Sequence, residues 1–252
     1  MADKTVEAKC LNKILTAPRP RGNTAKMVYE LIGDAQLVSD MKQECPDFVL
    51  KNGDTVIGLE HFLVDVLVNE NGSNARRVYK KRQQELRGRK PSHQLMKHIN
   101  HSPAVQQQLK HGIIAFDEYQ FLKEFQRVAR KHGESAGGYR ATIRNYKARD
   151  YVMGAMIEMP CQTNGRFVLY DSTGKHKERT LNCVPLTQNL ISIMKRTLKD
   201  FDFVVVLAET LLNEQPYDSK VYCFWNNNFD EAIREQRIPV CTSFKIRLEE
   251  NL

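Results

Sequence analysis

The sequence predicts an α/β (α+β) fold in which a mixed central β-sheet is flanked by helices. Three observations carry that expectation. An Asn-Gly turn joins two β-rich runs in CPDFVLKNGDTVIGLEHF, residues 45–62. The wholly apolar run FVVVLA, residues 203–208, has the length and composition of a strand buried on both faces. Along the chain the order helix, hairpin, helical region, strands, helix, strand, strand suits helices packed on a mixed sheet.

The elements follow in order. Pro18-Arg-Pro-Arg-Gly22 breaks the chain, and Asn23 or Thr24 then offers an N-cap to a helix over TAKMVYELIGDAQLV, with Met27 and Leu31 among its apolar positions. The hairpin comes next, its turn at Asn52-Gly53-Asp54 and its second strand continuing to Val68. From Ser73 to about His132 apolar residues recur at helical intervals among many basic ones. The stretch GESAGGYRATIRNYKARD, residues 133–150, reads as an exposed, glycine-rich loop able to close over a ligand. Residues 73–149 are thus expected to form a basic helical insertion, with 1–72 and 150–252 as the core. Tyr151–Pro160 and Gly165–Tyr170 read as a second hairpin. Pro185–Lys199 reads as an amphipathic helix, and 220–225 as a strand. FDEAIREQRIPVCTSFKIRLEE closes with a short helix and an edge strand.

Totals narrow the class. A chain of 252 residues, 41% hydrophobic and 27% charged, has enough apolar material for one large domain or a domain with an inserted lobe, and global disorder is excluded. Its apolar runs fall far short of the roughly 20 residues that cross a bilayer. MADKTVEAKCLNK has no apolar core of a secretory signal, so a soluble, cytoplasmic protein with no membrane partner is expected. Cys10, Cys45, Cys161, Cys183, Cys223 and Cys241 are scattered without a CxxC pair and are expected to be reduced. His93, His98 and His101 do not share a helical face, and no zinc site is predicted there.

Charge is regional. Residues 72–149 hold 18 Lys or Arg against 5 Asp or Glu in a chain of net charge +8, so the remainder is net negative. Such a localised field favours a polyanion as partner, because neutralising phosphates releases condensed counterions. A solvated basic helical surface is the plainer reading of the same charges.

The hairpin carries acids where core strands carry none. Residues two apart on a strand share a face. Gly58, Glu60, Phe62 and Val64 therefore look one way, and Ile57, Leu59, His61 and Leu63 the other. Both sets are mainly apolar, and a crowded carboxylate must be protonated, paired or bound to metal. Asp47 stands near the start of the first strand. Counted from Asn52-Gly53, it is expected to be offset from Glu60 by a residue or more, within one ion's span if the strands twist. Glu158, in Ile157-Glu-Met-Pro160, is a reserve ligand of the same kind.

Pro46-Asp47, twelve intervening residues and Glu60-His61-Phe62 behind Ile57-Gly-Leu resemble the PD-(D/E)xK nuclease superfamily. The resemblance spans roughly residues 23–225 and implies a restriction-endonuclease-like core. It implies Asp47 and Glu60 as ligands of Mg²⁺ or Mn²⁺, joined by Glu30 from the leading helix, in a metal-dependent nuclease that hydrolyses phosphodiester bonds. The lysine expected two residues after Glu60 is Phe62 here. Other members supply a lysine from a neighbouring element, which makes Lys80 and Lys81 the substitutes. Arg76, Arg77, Arg82, Arg87, Arg89 and Lys90 are then expected to hold the nucleic-acid backbone, of DNA rather than RNA. Tyr79, Tyr139 and Tyr146 suit either base stacking or helix packing. Plainer roles stand beside these: a solvated Glu30, a turn-capping Asp47, and a Glu60 paired with an arginine. The alternative function is a catalytically inactive protein of the same fold that binds nucleic acid or a protein partner. No Walker loop, GxGxxG or GxSxG motif points to another enzyme class.

Overall fold

A computed structural model describes residues 5–38, 46–66, 114–162, 166–170, 173, 176–179, 185–212, 215–226 and 228–248. Helices α1 (Thr5–Thr16) and α2 (Asn23–Gly33) lead into β1 (Gln36–Leu37), β2 (Phe48–Asn52) and β3 (Thr55–Leu63). Then come β4 (Ile114–Asp117), the long helix α3 (Glu118–Ile143), β5 (Asp150–Gln162), β6 (Arg166–Tyr170) and β7 (His176–Arg179). Strand β8 (Leu186–Thr187), helix α4 (Gln188–Thr197), β9 (Phe203–Leu212), β10 (Gln215–Trp225), α5 (Phe229–Gln236), β11 (Val240–Cys241) and β12 (Ser243–Leu248) complete the fold. It is α+β, as composition and periodicity predict.

The central sheet has six strands in the order β1-β2-β3-β5-β9-β10. β1, β2 and β3 form an antiparallel meander, β3-β5-β9 are parallel, and β10 returns antiparallel to β9. The two parallel connections run through α3 and through the segment that carries α4. One face is covered by α1 and α2, whose Cys10, Ile14, Val28 and Ile32 pack on Leu50, Ile57, Leu59, Met156 and Val205. The other is covered by α3 and α4, with Phe121, Phe125, Leu190 and Met194 against Phe62, Ile157 and Val206. β9 is buried on both faces, which explains its unbroken apolar run: Val204 and Val206 serve one core, Phe203 and Val205 the other.

Three expectations change. Residues 133–143 continue helix α3 instead of forming a loop, because Ala136, Tyr139 and Ile143 are buried at helical intervals and Gly133 is a contact surface. A Cβ on Gly133 would lie 2.0 Å from the Thr197 carbonyl oxygen at the end of α4, so only glycine lets the two helices approach. β5 and β6 do not form a hairpin. β5 is hydrogen-bonded on both edges by β3 and β9, and β6 joins a separate four-stranded sheet, β4-β12-β6-β7. In that sheet β12 is an interior strand, paired with β4 and β6. Of the region 73–149, residues 73–113 lie outside the described residues, and α3 packs against the central sheet.

α2 is capped by tertiary structure. Gly22 at its N-cap offers no side-chain acceptor, and the Glu235 carboxylate from α5 accepts the Thr24 amide at 2.9 Å. No helix among the described residues is long and apolar enough to cross a membrane.

Glycines of α3 give a paired test. Gly133→Ala is expected to lower the free energy of unfolding by about 2–3 kcal/mol, since the clash with a backbone carbonyl outweighs alanine's helix preference. Gly137→Ala, where an added Cβ meets nothing within 4 Å, is expected to raise it by about 0.5–1 kcal/mol. Urea denaturation of both variants checks the pair.

Candidate functional site

β3 is bonded to β2 on one edge and to β5 on the other, so its successive side chains must leave on opposite faces. Glu60 is directed to the α3 side and His61 to the α1 side. Each meets a polar cluster supplied by the helix that covers it.

On the α3 side, Glu60 is 4% exposed. Its Oε1 accepts the Tyr139 hydroxyl at 2.9 Å and lies 2.8 Å from His132 Nδ1. With Glu60 ionised, the Nδ1–H tautomer of His132 donates to it. Phe62, two residues along the same strand face, stacks on His132 with ring centroids 4.8 Å apart and planes within 14°. Oε2 of Glu60 is buried and has no hydrogen-bond partner among the described residues. An orphaned carboxylate oxygen in a dry environment is costly unless a cation or donor reaches it.

Asp47 stands beside this pair. The hairpin register is Phe48↔Leu59 through Asn52↔Thr55, with Gly53 and Asp54 as the two turn residues and Gly53 at φ +57. Asp47 lies one residue beyond the last pair of this ladder, in a bend. The turn is centred one residue later than Asn52-Gly53, and Asp47, in the bend before β2, lies close enough to Glu60 to feel its charge. Asp47 Oδ2 accepts the His61 backbone N–H at 2.7 Å. Burial, and then the Glu60 charge, push the Asp47 carboxyl up from 3.8 to about 6, and Glu7 adds to the shift. Glu7, in the first turn of α1, also has a buried Oε2 without a hydrogen-bond partner among the described residues.

The α1 side holds a second cluster. Lys13 Nζ donates to Glu158 Oε1 at 3.2 Å and to Glu209 Oε2 at 2.8 Å. His61 Nε2 lies 3.3 Å from Glu158 Oε2. Burial alone raises the Glu158 carboxyl, but the His61 hydrogen bond and the Lys13 charge outweigh it and hold the group below its usual range. Cys10, buried beside them, has its thiol pushed far up by burial and then by the Glu158 charge, so it stays protonated. Glu209 Oε1 is buried and has no partner among the described residues.

The structure thus brings together Asp47 and Glu60, and it does not bring Glu30 to them. Glu30 is exposed on α2, 3.7 Å from Lys26 one turn away. Its carbonyl accepts the Asn52 amide at 2.8 Å, at the turn end of β2, roughly 17 Å along the strand from Asp47. Glu158 belongs to the α1-side cluster. Lys80, Lys81, Arg76, Arg77, Arg82, Arg87, Arg89 and Lys90 lie outside the described residues. Sequence reasoning missed Glu7, Cys10 and Lys13, although their spacing of three places them on one face of α1. It also missed His132, which no local pattern marks.

No family model matches the chain, and no curated protein or solved structure is significantly similar to it.

Two expectations follow for the protein itself. Lys13→Met leaves Glu158 and Glu209 buried without their shared cation, and chemical denaturation should register a loss of about 3 kcal/mol. Asp47 has a folded pKa above its unfolded one, so the folded state holds the proton longer and the residue's contribution falls as pH rises from about 4 to about 6. Asp47→Asn should remove that decline. Relative to the variant, the parent should lose on the order of 2 kcal/mol across this window, allowing for solvent screening, and then run parallel above it.

Proposed function

We propose that the chain is a divalent-metal-dependent nuclease of PD-(D/E)xK-like chemistry, in which Asp47 and Glu60 hold the ion. The observation that carries this reading is the Oε2 of Glu60, buried and unpartnered among the described residues, beside an Asp47 whose carboxyl burial and the Glu60 charge push up. Two carboxylates so placed raise each other's cost of ionisation, and a cation between them relieves it. The set is all oxygen, which suits Mg²⁺ or Mn²⁺. The element order of helix, antiparallel meander, helix and parallel strand supports the same reading. Glu7, on α1, is the helix acid whose charge Asp47 feels.

Asp47 and Glu60 are the residues that would hold the metal. When bound, such an ion polarises a phosphoryl oxygen and lowers the pKa of a coordinated water. The chain's own groups prepare the site. Tyr139 and His132 fix Oε1 of Glu60 and so aim Oε2, while the His61 amide orients Asp47. Phe62, where the resemblance implies a lysine, holds the His132 ring flat. His132 keeps 18% of its side chain exposed, and an imidazole reaching solvent beside the carboxylates can carry the proton that the missing lysine would manage. Lys131, Arg144 and Lys147 are exposed along and just beyond α3, and with the basic residues of 76–90 they suit phosphate contacts on DNA.

A second reading rests on the same Glu60. Its Oε1 already has two donors and no lysine follows it, as in a protein of this fold that binds nucleic acid without cutting it. Incubation of the purified chain with single- and double-stranded DNA and RNA in Mg²⁺ or Mn²⁺ decides between them. Cleavage is expected, falling as pH drops below about 6 where Asp47 takes up a proton, and Asp47→Asn or Glu60→Gln should reduce it at least about 100-fold while far-UV circular dichroism is unchanged. No cleavage in either metal, with nucleic-acid affinity intact in Glu60→Gln, supports the binding protein instead.

A further inference from the structure

On the opposite face of β3 from Glu60, three ligand types converge without belonging to the carboxylate pair. Cys10 Sγ, a His61 ring nitrogen and a Glu158 oxygen all lie within 4.8 Å of one another, and all three residues are buried. They come from α1, β3 and β5. Two ligand atoms bound to one tetrahedral ion at about 2.0–2.1 Å lie about 3.4 Å apart. His61 Nε2 and Glu158 Oε2 stand at 3.3 Å. That spacing serves a hydrogen bond as it stands and equally serves two ligands of one cation, with Cys10 closing by an ångström or so to reach a metal–sulfur distance of about 2.3 Å.

Charge points the same way. Glu158 and Glu209, 6% and 1% exposed, share the single cation Lys13, and Glu209 Oε1 is buried with no partner among the described residues. The formal count in this buried cluster is one negative charge in excess. A divalent ion that binds Cys10 as thiolate, its proton leaving to solvent, brings the count to zero. Lys13 is compatible with the ion because it uses the other oxygen, Oε1 of Glu158. Held between Lys13 and the metal, that carboxylate is oriented as an outer partner orients a ligand.

We propose that Cys10, His61 and Glu158 form a site for a borderline divalent ion of the zinc class, distinct from the Asp47–Glu60 pair. Thiolate and imidazole favour such an ion over Mg²⁺, and the fourth position is left to water. The site joins α1 to β3 and β5, so its role is to fasten α1, and with it Glu7, to the sheet. Within this cluster His61 ligates through Nε2, which places its proton on Nδ1.

Cobalt(II) is the probe. The metal-free full chain is titrated with Co²⁺ and followed by absorption, since a cysteine ligand gives a thiolate-to-cobalt charge-transfer band in the near ultraviolet. The band is expected to saturate at one equivalent, together with a rise in Tm on adding Zn²⁺. Cys10→Ser should abolish the band and weaken Zn²⁺ binding at that site at least 100-fold, while Glu30→Gln, at an exposed position on α2, should leave both unchanged and Asp47→Asn should leave the band in place. His61→Gln, expected to act as Cys10→Ser does, guards against a variant that fails to fold. Stoichiometric Co²⁺ uptake without the band, a band that survives Cys10→Ser, or no uptake at all would overturn the proposal. A band lost in Asp47→Asn would overturn the independence of the two sites. None of these results depends on whether the chain cleaves nucleic acid.

Discussion

Strand β3 is hydrogen-bonded along both edges, and the rest of the site depends on that constraint. A strand so held cannot rotate a side chain away from the sheet's normal, so Glu60 and His61, neighbours in sequence, are committed to opposite buried faces. Neither can reach bulk water. Each must therefore be answered by the helix that covers it, and the two helices do so differently. α3 answers Glu60 with the Tyr139 hydroxyl and the His132 imidazole. α1 answers Glu158, the partner of His61, with the full charge of Lys13.

These two solutions have different energetic characters. Tyr139 and His132 occupy one oxygen of Glu60 and leave the other without a partner among the described residues, and burial, then the Glu60 charge, drives the adjacent Asp47 toward protonation. On the other face, burial raises the Glu158 carboxyl, but the His61 hydrogen bond and then the Lys13 charge outweigh it and hold it below its usual range. The α3 face is thus electrostatically short of a cation at its carboxylate pair. The α1 face is short of one because a single lysine serves two acids. Conventional core packing surrounds both, so the deficits persist where solvent would otherwise dissipate them.

The helices reach the sheet as closely as they do through specific packing. Gly133 lets α3 lie against the end of α4, and the buried Phe121, Phe125 and Ile143 set its rotation. That rotation is what turns His132 and Tyr139 onto Glu60. Cys10 and Ile14 do the same for α1, turning Lys13 onto Glu158 and Glu209. The buried polar groups here are placed by apolar contacts about one helical turn away.

Much of the fold was legible in the chain itself. An Asn-Gly turn between β-rich runs, an apolar strand at 203–208 and a proline-broken start to α2 are local signals, and local sterics and burial dictate them. The acids Asp47, Glu60 and Glu158 stood out because a carboxylate in an apolar strand has few physical explanations. What the chain by itself did not determine was who answers them. Glu30 had the right type and lay on a helix, yet α2 runs past the turn end of β2, while Glu7 on the unforeseen α1 lies near Asp47. His132 and Lys13 carry no local mark, since a histidine or lysine in a helix reads as solvated until packing buries its partner. The fate of Gly133 turned on a neighbour 64 positions further along the chain. Sequence periodicity reports which faces are buried. Only the three-dimensional arrangement decides which buried groups meet, because those meetings join residues whose separation along the chain carries no energetic signature.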